Sequence, residues 1–241
     1  MIVFENITFS RRDKPVLKGI SFSIEAGERS AIVGGSGEGK TTILKLIMGL
    51  IRPDSGSIII DGEDITTMNE AQLREVRMKF SIVFQEGALF DSLTVGENVA
   101  FPLREYSGKS EEEIEQKVRE LLRIVGMEDA IDLMPEELSG GMNRRAAIAR
   151  SLAACQPKMF LYDEPTSALD PANANAILRL ITDLSHGGRG FILVSHEVQN
   201  ALRVADRFLL LKEGALLFDG DKETFLGSPV ADIRAFASAV M

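Results

Sequence analysis

The sequence predicts an α/β fold: a parallel sheet flanked by helices, preceded by antiparallel strands and interrupted by a helical insertion. Three observations carry this. The N-terminal stretch alternates apolar and polar residues, as in Val3-Phe4-Glu5-Asn6-Ile7-Thr8-Phe9 and Ile20-Ser21-Phe22-Ser23-Ile24. That is the period of half-buried antiparallel strands. From Ser30 onward, short and uniformly apolar runs alternate with helical patterns, as when helices cover both faces of a parallel sheet. Between Gln85 and Ser139 no convincing strand occurs.

Taken in order, the apolar strands fall at 30–33, 80–84, 159–162, 191–194 and 207–211. After the first of them, Ile43, Leu44, Leu46, Ile47 and Leu50 recur at helical spacing. In the strandless segment, Ser110 with Glu113 makes a capping box. Ile114, Val118, Leu121, Leu122 and Val125 then line one helix face, and Gly126 stops it. The expected organisation is one domain over 1–241, with a helical subdomain over about 86–155 inserted in the α/β core.

At 241 residues and 45% apolar content, the chain can fill a sizeable core. No apolar run approaches the ~18–20 residues that span a bilayer; Phe208-Leu209-Leu210-Leu211 reads as a buried strand. The start, Met1-Ile2-Val3-Phe4-Glu5, lacks the features of a secretory signal. One cysteine, Cys155, cannot form an internal disulfide, and two histidines cannot build a structural zinc site. The expectation is a cytoplasmic protein. A net charge of −9 argues against a general nucleic-acid binder, which needs a basic face. The run Glu111-Glu112-Glu113 reads as a solvated helix start.

The chemistry concentrates in a few short stretches. Gly34-Gly35-Ser36-Gly37-Glu38-Gly39-Lys40-Thr41 matches G-x-x-x-x-G-K-[ST], and it lies between an apolar strand and a helix. That context makes the pattern a nucleotide phosphate loop. Glycines let successive N–H groups face one anion, and the following helix adds its positive dipole end. Lys40 then reaches the β- and γ-phosphates, the Thr41 hydroxyl is placed to ligate Mg²⁺, and Thr42 is a candidate α-phosphate contact. Glu38 is unusual in such a loop, and its side chain is expected to point outward. Asp163 and Glu164 end the apolar strand Phe160-Leu161-Tyr162 on its carboxyl side, where open α/β sheets place ligands. In Leu138-Ser139-Gly140-Gly141-Met142, Ser139 is a candidate N-cap whose glycines let backbone amides approach a phosphate.

This combination resembles the ATPase subunit of ATP-binding cassette (ABC) transporters, essentially end to end. The resemblance implies an ABC-type P-loop ATPase with a RecA-like core, an N-terminal antiparallel β subdomain and an inserted helical subdomain, using ATP and Mg²⁺. It further implies that Asp163 holds Mg²⁺ through water and that Glu164 activates the attacking water. Gln85 matches the residue that senses Mg²⁺ and that water, Asp170 the loop crossing the dimer interface, and His196 the switch histidine. Ser139 and Gly141 match the signature motif, which binds the γ-phosphate of ATP held by the opposite subunit, so the site needs a homodimer. Adenine stacking is implied for an N-terminal aromatic, but Arg11 stands at the aligned position; a guanidinium also stacks on a base. Phe9 on the same strand is the alternative, with a core role as its other reading.

Two stretches narrow the resemblance. Residues 84–95, followed by Glu97-Asn98-Val99-Ala100-Phe101-Pro102-Leu103-Arg104, and residues 133–138 leading into Met142-Asn143-Arg144-Arg145 look like the ATPase of Mla-type phospholipid transporters that work with Mce-domain proteins. Met142, where the superfamily usually has Gln, is a mark of that group. Asp232-Ile233-Arg234-Ala235-Phe236 resembles its tail, although this chain stops sooner after it. The implied partners are a multi-span permease and an Mce-domain protein at the cytoplasmic face of the inner membrane. Ala88, Leu89 and Phe90 suit docking of a permease helix or packing within the helical subdomain. An amino-acid importer, a lipoprotein-release or cell-division ATPase, and a soluble cluster-assembly ATPase share the catalytic motifs. The stretch between Gln85 and Ser139 is too short for the coiled coil of a DNA-repair relative. A ribosome-acting relative would carry two cassettes and basic linkers, and this chain has neither.

Overall fold

The computed structural model describes residues 1–154 and 157–238, so Cys155 lies outside the described residues. The alternating N-terminal stretch forms β1 (Ile2–Arg11) and β2 (Lys14–Ile24), paired antiparallel with Ile2 opposite Ile24 and Phe4 opposite Phe22. Their inward positions Ile2, Phe4, Ile7, Ile20 and Ile24 are buried, and the Phe4 and Phe22 rings stack at 4.6 Å. After β3 (Arg29–Gly34) and α1 (Lys40–Ile47), β4 (Ser55–Ile60) and β5 (Glu63–Asp64) return to this sheet, in the order β2-β1-β4-β5.

The apolar runs form the second sheet, joined by α2 (Glu70–Arg77) and β6 (Phe80–Val83). Then come α3 (Val95–Tyr106), α4 (Glu111–Ile124), α5 (Gly140–Ala154), β7 (Met159–Asp163), α6 (Pro171–Leu184) and β8 (Gly190–Ser195). The chain continues through α7 (Val198–Leu202), β9 (Arg207–Lys212), β10 (Ala215–Asp221), α8 (Lys222–Leu226) and α9 (Ala231–Ser238). The sheet order is β10-β9-β3-β8-β7-β6; β3 and β6 through β9 are parallel, and β10 is antiparallel at the edge. β7 and β8 are buried at every position, which is why their sequence shows no alternation.

The insertion is helical, as expected. α4 carries the capping box between Ser110 and Glu113, and Ile114, Val118, Leu121 and Leu122 are buried. One boundary differs. Leu50 was placed on the face of α1, but the helix ends at Ile47, Gly49 adopts φ +59° and Leu50 is 49% exposed. The turn carries Leu50 off the apolar stripe.

Asp61 ties the two sheets together. Its carboxylate pairs with Lys79 at 3.1 Å, Lys158 at 3.3 Å and the amino terminus at 3.1 Å. Burial alone would raise its pKa; the hydrogen bonds from these three cations outweigh that and bring it to about 2. Because the folded pKa lies below the ordinary value, this contribution is complete above pH ~4 and is lost as pH falls through 2. Asp61→Asn is expected to lower stability at pH 7 by on the order of 1 kcal/mol, after allowance for solvent screening. Urea denaturation should show that difference shrinking toward pH 2.

Candidate functional site

Strand register assembles the site. Val33 lies opposite Ser195, Asp163 opposite Val194, and Val83 opposite Tyr162, so the loops leaving β3, β6, β7 and β8 emerge at one edge. Gly34 through Thr42, Gln85, Glu164 and His196 all sit in those loops or at the first turn beyond them. This is the carboxyl edge, where parallel sheets expose backbone and end side chains to a ligand.

The glycine loop is shaped by close contact. A Cβ at Gly39, where φ is +99°, would lie 2.8 Å from Leu17 Cδ2, so any other residue there would meet both backbone strain and β2. Lys40 is buried, and its Nζ donates to the carbonyls of Gly34 at 3.0 Å and Gly35 at 2.9 Å. It lies 3.7 Å from Glu164 Oε1. Burial lowers its pKa, opposed by the charges of Glu164 and Asp163. Gly35 is half-buried, and Ser36 and Gly37 are exposed at the loop crest. Arg11, Lys14 and Val16 share a cleft of about 350 Å³ with Gly37, Gly39, Lys40, Thr41 and Thr42. Arg11 therefore stands beside the phosphate loop, whereas Phe9 is half-buried and packs against the core. Glu38 departs from its expected outward course. It is half-buried, and its carboxylate accepts from the Gly214 N–H at 3.4 Å in the β9–β10 turn. It turns away from the loop crest because the backbone N–H of buried Gly214 offers it a partner.

Thr41 Oγ1 donates to Asp163 Oδ1 at 2.8 Å. Desolvation raises the Asp163 pKa, partly countered by the Thr41 hydrogen bond. A hydroxyl and a carboxylate oxygen side by side suit Mg²⁺, a hard cation that takes few protein ligands and completes its shell with water and substrate phosphates. The described residues hold no group of three or more His, Cys, Asp or Glu that could bind a metal by themselves.

Glu164 is 6% exposed and sits at φ +49°, a left-handed conformation that costs a non-glycine residue on the order of 1–3 kcal/mol. The surrounding hydrogen bonds hold it there. Its carboxylate accepts from the His196 backbone N–H at 3.0 Å and the Ser195 hydroxyl at 3.3 Å, and lies 2.9 Å from His196 Nδ1. Its own N–H donates to the Val194 carbonyl at 2.9 Å. The Glu164–His196 pair thus forms directly within one chain. Behind it, Glu197 accepts from Thr166 Oγ1 at 2.9 Å and Asn200 Nδ2 at 2.7 Å, joining the turn after β7 to the turn after β8. Nothing local in the sequence marks Ser195, Thr166, Glu197 and Asn200; their place in the site depends on β7 and β8 lying side by side.

Ser139 and Gly140 are exposed at the start of α5, and Ser139 Oγ accepts from the Met142 N–H at 3.3 Å, as expected of a cap. Gly141 is buried against the start of α6; a Cβ there would lie 2.6 Å from Asn173 Oδ1. Asp170 caps α6, accepting from the N–H groups of Ala172 and Asn173. Neither Ser139 nor Gly141 lines the cleft beside Lys40. Gln85 follows β6 and is exposed.

Comparison with known proteins agrees with this geometry. A family model described as "ABC transporter" matches residues 17–167. The "Intermembrane phospholipid transport system ATP-binding protein MlaF" of Haemophilus influenzae is 40% identical over 95% of this chain and 86% of its own length. The "Methionine import ATP-binding protein MetN" of Caulobacter vibrioides is 39% identical over 96% of this chain and 70% of its own length. The solved "Dimeric structure of a post-hydrolysis state of the ATP-binding cassette MJ0796 bound to ADP and Pi" aligns with a TM-score of 0.84 at 32% identity, covering 92% of this chain and 98% of that one. The family match runs from β2 through the phosphate loop, the helical insertion and the Glu164 turn; with a RecA-like core and the glycine loop in place, this chain belongs to the ABC transporter family as an ATP-binding, ATP-hydrolysing subunit.

Proposed function

We propose that this chain powers phospholipid transport between the inner and outer membranes. In this reading it works as a homodimer on the cytoplasmic face of the inner membrane, under a multi-span permease and with an Mce-domain protein. Residues 1–241 form one cassette. The observation that carries the lipid assignment is Met142 in the signature, together with the stretches at 84–95 and 133–138. The relationship to MlaF along nearly the whole chain supports it. MetN is related to a similar degree, so an amino-acid importer is the competing reading.

The chemistry follows from the site. The loop amides of 34–39 and Lys40 hold the β- and γ-phosphates, Thr42 holds the α-phosphate, and Arg11 stacks on adenine. Thr41, Asp163 and Gln85 hold Mg²⁺, which neutralises phosphate charge when bound. Glu164, ordered by Ser195 and His196, accepts the proton of the attacking water, and His196 contacts the γ-phosphate. Ser139 and Gly141 complete the site of the opposite subunit.

No helix among the described residues is long and apolar enough to cross a membrane, so work must pass through a docked partner. In this reading the loop at 88–90 serves both packing and docking. Leu89 packs against the core, while Phe90 and Phe101 stand side by side at 4.8 Å and are 44% and 39% exposed. Buried Asn98 fixes the loop, accepting from the Phe90 N–H at 2.8 Å and donating to the carbonyls of Phe90, Leu93 and Thr94. A charge at Leu89 would disturb packing as well as docking, so Phe90 is the cleaner probe.

Purification from detergent extracts is expected to recover a permease, an Mce-domain protein and phospholipid with this chain. Phe90→Ser should lose the permease and keep nucleotide binding, because it removes the exposed aromatic surface that docking would bury. Recovery with an amino-acid permease and no Mce-domain protein would defeat the lipid assignment.

A further inference from the structure

The loop that carries Gln85 is held from the helical insertion by two arginines of α5. Arg144 is 6% exposed, and its Nη1 donates to the Phe84 carbonyl at 2.7 Å. Arg150 is half-buried; its Nη1 donates to the Ala88 carbonyl at 2.6 Å and its Nη2 to the Gly87 carbonyl at 3.0 Å. Its guanidinium also lies 5.7 Å from the centre of the Phe90 ring. These bonds grip the backbone immediately before Gln85 and just after it.

The loop closes with one internal bond, Gly87 N–H to the Phe84 carbonyl at 2.9 Å, and α5 adds to that support. Ala88 adopts φ +50°, an uncommon conformation for a side-chain-bearing residue, and its carbonyl is one that Arg150 holds. Gly87, at φ +75°, lies so close to α5 that a Cβ would be 2.2 Å from Asn143 Oδ1. The loop therefore takes its path from α5. Hydrogen bonds from a charged donor are stronger than neutral ones, and a guanidinium offers them in a fixed planar fork. Burial lowers the Arg144 pKa, and the carboxylates of Asp163 and Glu86 act against it. Arg144 thus lies within the electrostatic reach of the Mg²⁺-holding edge as well as on the loop.

We infer that Arg144 and Arg150 are positioning residues: they fix the Gln85 loop to α5 and so hold Gln85 at the catalytic edge. α5 begins at Ser139-Gly140-Gly141 and carries both arginines further along, so one rigid helix joins the signature to the Gln85 loop. The inference rests on the proposed role of Gln85. Phosphate binding by Lys40 and the glycine loop does not pass through this clamp.

The test uses the full-length chain and compares Arg150→Lys, Arg144→Gln, Gln85→Ala and the two arginine variants combined with Gln85→Ala. Lysine keeps the charge but cannot bond two carbonyls in a fork. Each arginine variant is expected to lower kcat by about tenfold, as small misplacements of catalytic groups do, with the KM for ATP changed less than about twofold. The Mg²⁺ concentration for half-maximal rate should rise. Binding of a fluorescent ATP analogue without Mg²⁺ should match the parent, which checks folding. Added to Gln85→Ala, neither arginine substitution should reduce kcat further. Parental kcat in both arginine variants beside an impaired Gln85→Ala would overturn the positioning role alone, as would fully additive losses. Parental kcat in Gln85→Ala would remove the Gln85 role and this inference with it.

Discussion

Glu164→Gln is expected to bind ATP as the parent does while turnover falls by ~10²–10⁴-fold, the usual contribution of a positioned general base. The geometry explains why the loss should be confined to chemistry. Glu164 is held by the His196 N–H, the Ser195 hydroxyl and His196 Nδ1, and an amide of the same shape can still accept one of these bonds. Among the phosphate-holding groups, Lys40 lies 3.7 Å from Glu164 Oε1 but is anchored independently by the Gly34 and Gly35 carbonyls, and Thr41 is anchored by Asp163. What glutamine cannot do is accept a proton from water. Phosphate release by the purified variant within about threefold of the parent would remove Glu164 from this role.

The second large effect concerns the sharing of sites between two chains. Ser139→Arg should abolish ATP hydrolysis in a homodimer although it lies outside the cleft beside Lys40. The reason is local: Ser139 and Gly140 are exposed at the head of α5, so a partner's phosphate can approach them. Lys40→Ala should abolish it as well, by removing the cation that reaches the β- and γ-phosphates. Mixing the two variants places both lesions in one composite site and leaves the second intact. Phosphate release from the mixture, with none from either variant alone, is the expected pattern. A mixture as silent as its parts would count against the shared arrangement or against independent working of the two sites; parental activity of Ser139→Arg alone would exclude the signature from catalysis.

Much of this architecture was legible in the sequence because its signals are local. Uniformly apolar strands, the capping box at Ser110 and the glycine loop between strand and helix each depend on neighbouring residues, and the structure shows them within a residue or two of the expected places. The phosphate loop and the pair Asp163-Glu164 were visible for the same reason. What stayed hidden depends on long-range pairing. β4 and β5 return to the N-terminal sheet after a helix, and nothing in Ser55-Gly56-Ser57 names the partner strand. Glu38 finds Gly214, far along the chain, and so turns aside from solvent. Thr166, Glu197 and Asn200 become a network only once β7 and β8 lie side by side. For the Arg144 and Arg150 clamp a trace did exist: charged residues flank the apolar run Ala146-Ala147-Ile148-Ala149 of an Ala-rich helix. A charge on such a face calls for a buried partner, and here the partners are backbone carbonyls.

Two chains are expected to enclose ATP between the Lys40 loop of one and the Ser139 turn of the other. Sedimentation of Glu164→Gln with radiolabelled ATP and Mg²⁺ tests it most directly, because hydrolysis no longer releases the complex. The expected result is a dimer that carries one ATP per chain, forms only with nucleotide and is lost on adding Ser139→Arg. A chain that binds ATP equally tightly and remains a monomer at every concentration, reconstituted with its permease or alone, would contradict it.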